Sequence, residues 1–315
     1  MEQIPVAAVV GPTATGKTRL AVELAIRFHG EIVSADSMQI YRGLAIGTAQ
    51  PTTEERKGVP HHLIGFQDPE KPFSVADYVE LASACIRQIH EKGKLPIIVG
   101  GTGLYVGSLL HHRQFAPYGR DEALRAALFR KAEEEGPAVL WEELKSFDPQ
   151  SAEQIHPNNV VRLVRAIEVY RLTGMTMTEQ RERSHKEPSP YDACLIGLDY
   201  RDRKKLYEAI NRRVDTMMNV GLKQEAQRAL SLPQGTTARQ AIGYKEFQPY
   251  FQGKCSLEEA VEQVKRESRR YAKRQLTWFR RQESAEWIFV DEEPNFESVC
   301  VKADKILRKK GWGIL

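Results

Sequence analysis

Residues 11–18 read Gly11-Pro12-Thr13-Ala14-Thr15-Gly16-Lys17-Thr18, a complete G-x-x-x-x-G-K-T phosphate-binding loop. Nothing else in the chain restricts its fold as much, because such a loop works only between a buried strand and the first turn of a helix. Both flanks comply. Val6–Val10 is an unbroken apolar run suited to a strand covered on both faces. From Lys17 to Phe28, Leu20, Ala21, Leu24 and Ala25 recur at helical spacing. The glycines let the backbone wrap a phosphate, which meets loop N–H groups and the positive end of the helix dipole. Lys17 adds a point charge on a bridging or terminal phosphate, and the Thr18 hydroxyl is placed as a ligand for Mg2+. The motif implies a bound phosphate chain without saying which molecule carries it.

Further strand-length segments are Glu31–Ala35, Pro96–Val99, Cys194–Leu198 and Trp287–Val290, with helical patterns between them. That alternation predicts an α/β fold with a parallel sheet flanked by helices on both faces. Ligands in such sheets sit at the C-terminal ends of the strands. Three turns should meet there: the phosphate loop, Ala35-Asp36-Ser37, and Gly100-Gly101-Thr102-Gly103. Residues 113–190 carry no strand signal. Their helical patterns run over Glu122–Glu135, Ala138–Phe147 and Asn159–Leu172, and Pro117, Pro188 and Pro190 punctuate the ends. The expected organisation is a core over 1–112, an all-helical insertion over 113–190, and the returning core over 191–315.

A chain of 315 residues with 41% hydrophobic and 28% charged content is long enough for such a core and ordinary for a globular protein. The longest apolar runs are strand-length, so no transmembrane span is expected, and strand-forming residues begin too early for a signal peptide. Cys85, Cys194, Cys255 and Cys300 are widely spaced with no C-x-x-C pair. Free or buried thiols in a reducing cytoplasm fit that pattern, and a zinc site does not. His61-His62 and His111-His112 lack ligand partners at helical spacing and read as surface or loop residues.

The net charge of +4 is unevenly placed. Lys265, Arg266, Arg269, Arg270, Lys273, Arg274, Arg280 and Arg281 stand against the single acid Glu267, which leaves the rest of the chain slightly acidic, near −3. Val264, Ser268, Tyr271, Ala272, Gln275 and Phe279 trace the other side of this helix and can pack inward. The basic face suits a polyanion, or is a solvated amphipathic surface.

The phosphate loop admits a small-molecule kinase, an ATPase or GTPase motor, or another enzyme that handles a diphosphate. A motor needs an apolar strand ending in an acid that organises Mg2+. Pro96-Ile97-Ile98-Val99 ends in glycine; Cys194–Leu198 ends in Asp199, far downstream of the loop. Asp36 follows Ile32-Val33-Ser34-Ala35 and should lie at a strand's carboxyl end beside the loop. There it can accept a proton from a nucleophile, or simply cap the next helix.

An ordered set of motifs resembles the bacterial tRNA dimethylallyltransferase family over essentially the whole chain. Besides residues 11–18 these are Ser34-Ala35-Asp36-Ser37-Met38-Gln39-Ile40-Tyr41, Gly47-Thr48-Ala49 with Pro51, and Pro60-His61-His62-Leu63. Next come Gly100-Gly101-Thr102-Gly103-Leu104-Tyr105, Arg162-Leu163 and Arg165-Ala166-Ile167-Glu168. The last are Arg213-Val214-Asp215, Ala241-Ile242-Gly243-Tyr244, and Tyr271-Ala272-Lys273-Arg274-Gln275 with Thr277-Trp278-Phe279. The first motif is common to many families; the ordered set is specific.

The resemblance implies a P-loop NTPase-like core whose loop holds the diphosphate of dimethylallyl diphosphate rather than ATP. Asp36 is then the general base for the N6 amine of adenosine 37 in the anticodon loop, with Thr102 hydrogen-bonding nearby. Arg213 would clamp the departing diphosphate with Lys17 and a Mg2+ ion on Thr18. The target base must leave its stack to reach the donor. Contacts to the anticodon stem-loop are implied for Asp36, Ser37, Met38, Gln39, Thr102, Arg125, Arg162, Arg165, Ile242, Gly243, Tyr244 and Lys245. The basic helix should add Arg270, Lys273 and Arg274 at phosphates. Val161 departs from the polar residue that the family carries at this position. A monomer is expected. The alternatives are an adenine-nucleotide isopentenyltransferase, a P-loop small-molecule kinase, and a non-catalytic P-loop protein that binds nucleic acid.

Overall fold

A computed structural model describes residues 3–111, 121–186, 188–282 and 284–312; His112 and Pro117 lie outside the described residues. Its backbone divides into two compact units, Met1–Leu110 with Pro190–Leu315, and His111–Ser189.

In the first unit, β1 (Ile4–Val10), β2 (Gly30–Ser34), β3 (His61–His62), β4 (Leu95–Gly100), β5 (Tyr191–Asp199) and β6 (Ala285–Phe289) form one sheet. Its order is β3-β2-β4-β1-β5-β6, and every neighbouring pair is parallel. The first half of this unit also contains α1 (Lys17–Arg27), α2 (Thr53–Arg56), α3 (Val75–Glu91) and α4 (Gly103–Leu110). The second unit contains α5 (Glu122–Glu135), α6 (Ala138–Phe147), α7 (Pro149–Gln154), α8 (Val160–Thr173) and α9 (Met177–Lys186). The chain then adds α10 (Arg203–Asn219), α11 (Leu222–Leu230), α12 (Gln248–Phe251), α13 (Leu257–Phe279) and α14 (Phe296–Lys309) to the first unit.

The apolar run of β1 is explained by its central place. Ala7 and Val9 pack with Leu20, Leu24, Val299 and Leu307 of α1 and α14, whereas Val6, Ala8 and Val10 pack with Tyr78, Ile86, Val106 and Leu109 of α3 and α4. Both faces are dry, as a parallel sheet requires. A third cluster joins Ile40, Tyr41 and Leu44 to Leu222, Tyr244, Phe247 and Val264.

His61-His62 departs from its reading as surface or loop. The pair forms the short edge strand β3 beside Ile32 and Val33. His62 Nε2 lies 2.7 Å from Glu31 Oε2, whose other oxygen accepts from Lys94 Nζ at 2.8 Å. A two-residue strand has too little alternation to be read from sequence. The basic helix begins at Leu257, earlier than its charge suggests. Ser256 Oγ accepts from Glu259 N at 3.1 Å and Glu259 returns the bond to Ser256 N at 2.8 Å. Such a reciprocal cap contributes about 1 kcal/mol and fixes the helix start.

The second unit closes on Leu128, Leu140, Leu144, Leu163, Val164 and Ile167. The short helices α7 and α9 were not evident in the sequence. Asp148 creates both: it caps Ser151 N at 3.1 Å with Pro149 in the first turn, and accepts from Thr178 N at 3.1 Å. No helix of the described residues is long and apolar enough to cross a membrane.

Candidate active site

Strand adjacency brings the three turns together. Ala35 N donates to Val99 O at 2.7 Å and Thr102 N to Ala35 O at 3.2 Å. Gly100 is required there, since a Cβ on it would lie 2.2 Å from Ala35 O. The phosphate loop enters α1 through Gly16 in the left-handed region, and Ala14 also has a positive φ of 66°. That local strain is typical of a backbone held open for a ligand.

Asp36 serves the backbone with one of its two carboxylate oxygens. Its Oδ1 accepts from Met38 N at 2.9 Å and Gln39 N at 3.3 Å, which fixes the turn. Its Oδ2 makes no hydrogen bond among the described residues, so one carboxylate oxygen remains to take a proton. Thr102 Oγ1 accepts from Ser37 N at 3.0 Å and donates to Ser37 Oγ at 3.3 Å, tying the Asp36 turn to the β4 turn.

Lys17 Nζ donates to Pro12 O at 2.6 Å. Neither Lys17 nor Arg213 of α10 forms an ion pair among the described residues, although both are half-buried. Burial, then the Arg213 guanidinium, push the Lys17 amine down to about 7, and Asp36 partly opposes them. Burial likewise lowers Arg213, again against Asp36. Two cations that repel each other around a phosphate loop form a site that an anion would relieve. Pyrophosphate should therefore favour protonated Lys17, so binding takes up protons at and above pH 7 and weakens as pH rises through this range. Calorimetry in buffers of different ionisation enthalpy should show that uptake, and Lys17→Met should lack it.

Asp199 is not a metal-organising acid. It is fully buried and held by Arg203 at 2.9 and 3.0 Å and by Arg280 at 3.0 Å. Among the described residues no three His, Cys, Asp or Glu side chains gather as a metal cage. A Mg2+ ion at the loop would thus take the Thr18 hydroxyl from this chain and its remaining ligands from diphosphate and water, a donor set that suits Mg2+.

The residues expected at a tRNA surface differ in exposure. The Tyr244 side chain is fully buried and donates to Glu225 Oε1 at 2.8 Å, so it supports the 46–47 turn, whose N–H groups the same carboxylate accepts at 3.0 and 2.7 Å. Gly243 is also buried, Ile242 is half-buried and Lys245 is exposed. Gln39 turns inward: Oε1 accepts from Ser34 Oγ at 3.0 Å and Nε2 donates to Ala49 O at 2.9 Å. Ser37 and Met38 are half-buried. In the second unit, Arg125 and Arg165 both hold the fully buried Glu168, at 3.0 and 2.8 Å, and Arg162 and Arg165 are both exposed.

The inward face of α13 is as the pattern indicated, with Val264, Ala272, Gln275 and Phe279 buried. Its basic side is divided. Arg269 bonds Asn211 Oδ1 at 2.7 Å and Glu262 at 2.9 Å, and Lys265 pairs with Asp215 at 2.6 Å. Arg270 is exposed and pairs with Glu267 at 2.6 Å. Lys273 and Arg274 are exposed and pair with no acid among the described residues. Tyr271 and Gln275 read as inward packing in the sequence, yet Gln275 bonds the phosphate loop and Tyr271 lies near Asp36 and Thr102. The signal was a glutamine and a tyrosine on a largely apolar face.

Two family models match the chain: "IPP transferase" over residues 39–282 and "Isopentenyl transferase" over residues 4–67. The tRNA dimethylallyltransferase of Caldanaerobacter subterraneus subsp. tengcongensis is 48% identical over 299 residues, covering 94% of this chain and 95% of the relative. That of Halalkalibacterium halodurans is 49% identical over 282 residues, 89% and 90% of the two chains. The crystal structure of a full-length tRNA isopentenylpyrophosphate transferase from Bacillus halodurans superposes with a TM-score of 0.72, at 43% identity and 98% coverage of both chains. A eukaryotic dimethylallyltransferase acting on tRNA gives a TM-score of 0.79 at 27% identity, over 96% of this chain and 80% of that one. A parallel α/β core with a phosphate loop and an aspartate at a neighbouring strand end is the architecture of P-loop NTPase-like prenyl-transferring enzymes. The chain belongs to the IPP transferase family.

Proposed function

We propose that this enzyme transfers the dimethylallyl group of dimethylallyl diphosphate to N6 of adenosine 37 in the tRNA anticodon loop, acting as a monomer in the cytoplasm. The observation that carries the reading is the pair of half-buried cations without carboxylate partners, Lys17 and Arg213, beside an aspartate with one unoccupied oxygen. In the reaction the N6–C1 bond forms as the C1–O bond of the diphosphate breaks. The N6 proton passes to Asp36 Oδ2, and the bonding electrons leave on the diphosphate. Lys17, Arg213 and the loop N–H groups meet the charge that grows there, which is where fixed donors accelerate a reaction most. Mg2+ on Thr18, when bound, supplies further charge neutralisation. Four unpaired thiols, Cys85, Cys194, Cys255 and Cys300, support the reducing compartment.

Purified protein incubated with labelled dimethylallyl diphosphate and, in turn, unmodified tRNA and AMP should label the tRNA alone. Label on AMP would favour the nucleotide prenyltransferase. Transfer of the ATP γ-phosphate without prenyl donor would restore the kinase.

The exposed part of α13 supplies the polyanion contacts. Lys273→Ala and Arg274→Ala should each reduce the log–log salt slope of tRNA binding by roughly 0.7–0.9, with donor affinity unchanged. Arg269→Ala should instead lower the melting temperature, because its guanidinium anchors α13 to α10 through Asn211. Filter binding over a salt series and a thermal melt separate the two classes.

A further inference from the structure

The basic helix has a second face whose polar residues are buried in the site. Gln275 is 5% exposed, and its carboxamide spans two turns that belong to different strands. Oε1 accepts from Thr13 N of the phosphate loop at 2.9 Å, while Nε2 donates to Gly101 O of the β4 turn at 3.0 Å. The orientation is fixed by chemistry, because a reversed amide would set donor against donor and acceptor against acceptor. The approach also dictates the residue on the other side: a Cβ on Gly101 would lie 2.0 Å from Nε2. One turn earlier on the helix, the Tyr271 hydroxyl lies among Asp36, Thr102 and Gln275, and burial, then the Asp36 charge, raise its pKa against the opposing pull of Thr102 and Gln275. Thr102 in turn holds Ser37, next to Asp36.

From this chain of contacts we infer that Gln275 is a positioning residue that locks the diphosphate cradle to the turn carrying Thr102, and so sets the distance between donor and proton acceptor. The inference rests on the reaction proposed above and extends it to a residue that touches neither substrate. Of the side chains of this length, only glutamine offers an acceptor to the loop N–H and a donor to the Gly101 carbonyl at once. Methionine fills the space and leaves both backbone groups unpaired. Glutamate keeps the bond to Thr13 N and faces the Gly101 carbonyl with a second acceptor.

The test combines a kinetic and a non-kinetic readout. In the wild type, saturating inorganic pyrophosphate should slow hydrogen exchange of the peptide spanning residues 98–106, although that segment lies outside the phosphate loop. In Gln275→Met and Gln275→Glu the slowing should vanish while pyrophosphate still binds. The turnover number should fall about 10²-fold, the scale of a misplacement near 1 Å, with little change in KM for tRNA. A variant that lost activity only by unfolding would show a lower melting temperature and a smaller active fraction, and the Glu variant guards against that outcome. Retained slowing with turnover near wild type in either folded variant overturns the inference. If the wild type binds pyrophosphate but transfers no prenyl group to tRNA, the proposed reaction fails, and the exchange measurement alone decides the role of Gln275.

Discussion

Asp36→Ala and Asp36→Asn should both lower the single-turnover rate of prenyl transfer by roughly 10²–10⁴-fold, the usual contribution of a positioned proton acceptor. The pair of variants separates the two tasks of this carboxylate. Asparagine keeps an oxygen for Met38 N and Gln39 N, at 2.9 and 3.3 Å in the native turn, and therefore keeps the turn. It cannot take the N6 proton. Alanine loses both. An asparagine variant with near-native rate would make Asp36 a structural cap and leave the reaction without an identified base. Equal losses in the two variants, with tRNA affinity preserved, assign the effect to proton transfer.

Arg213→Ala should cost about 10²–10³-fold in the rate constant, the range for removing one donor aimed at developing charge. The affinity for dimethylallyl diphosphate should suffer less, because the leaving group carries more negative charge in the transition state than in the bound donor. A second consequence follows from the field that Arg213 exerts. Burial is the largest cause of the depression of Lys17 to about 7, and the guanidinium is the next. Removing it should raise the pH at which pyrophosphate binding weakens. A binding defect with unchanged maximal rate would reduce Arg213 to a positional role.

Much of the site was legible because its signals are local. A phosphate loop, an aspartate after an apolar run and a glycine-rich turn each declare themselves within a few residues, and parallel pairing of β1, β2 and β4 must then bring them together. What escaped depends on partners distant in sequence. Asp199 ended an apolar strand as a metal-organising acid would, but Arg203 and Arg280 consume it. Arg269 counted as surface charge until Asn211, one helix away, took it up. Tyr244 sat in a motif suited to contact a ligand and instead closes a core around Glu225. Gln275 was hidden by amphipathicity: a polar residue on an inward face reads as tolerated packing until both of its partners are seen. His61-His62 failed for a different reason, since a two-residue edge strand has no period to detect.

In the proposed reaction one carboxylate and one diphosphate cradle serve a single acceptor atom in tRNA. The most direct test is digestion and mass analysis of an unmodified anticodon stem-loop after incubation with enzyme, Mg2+ and dimethylallyl diphosphate. The expected product carries one dimethylallyl group, on N6 of adenosine 37, with one diphosphate released per group and no product when that adenosine is replaced by guanosine. A prenyl group on another nucleoside, or an unmodified stem-loop under conditions where ATP yields a phosphorylated product, would contradict it.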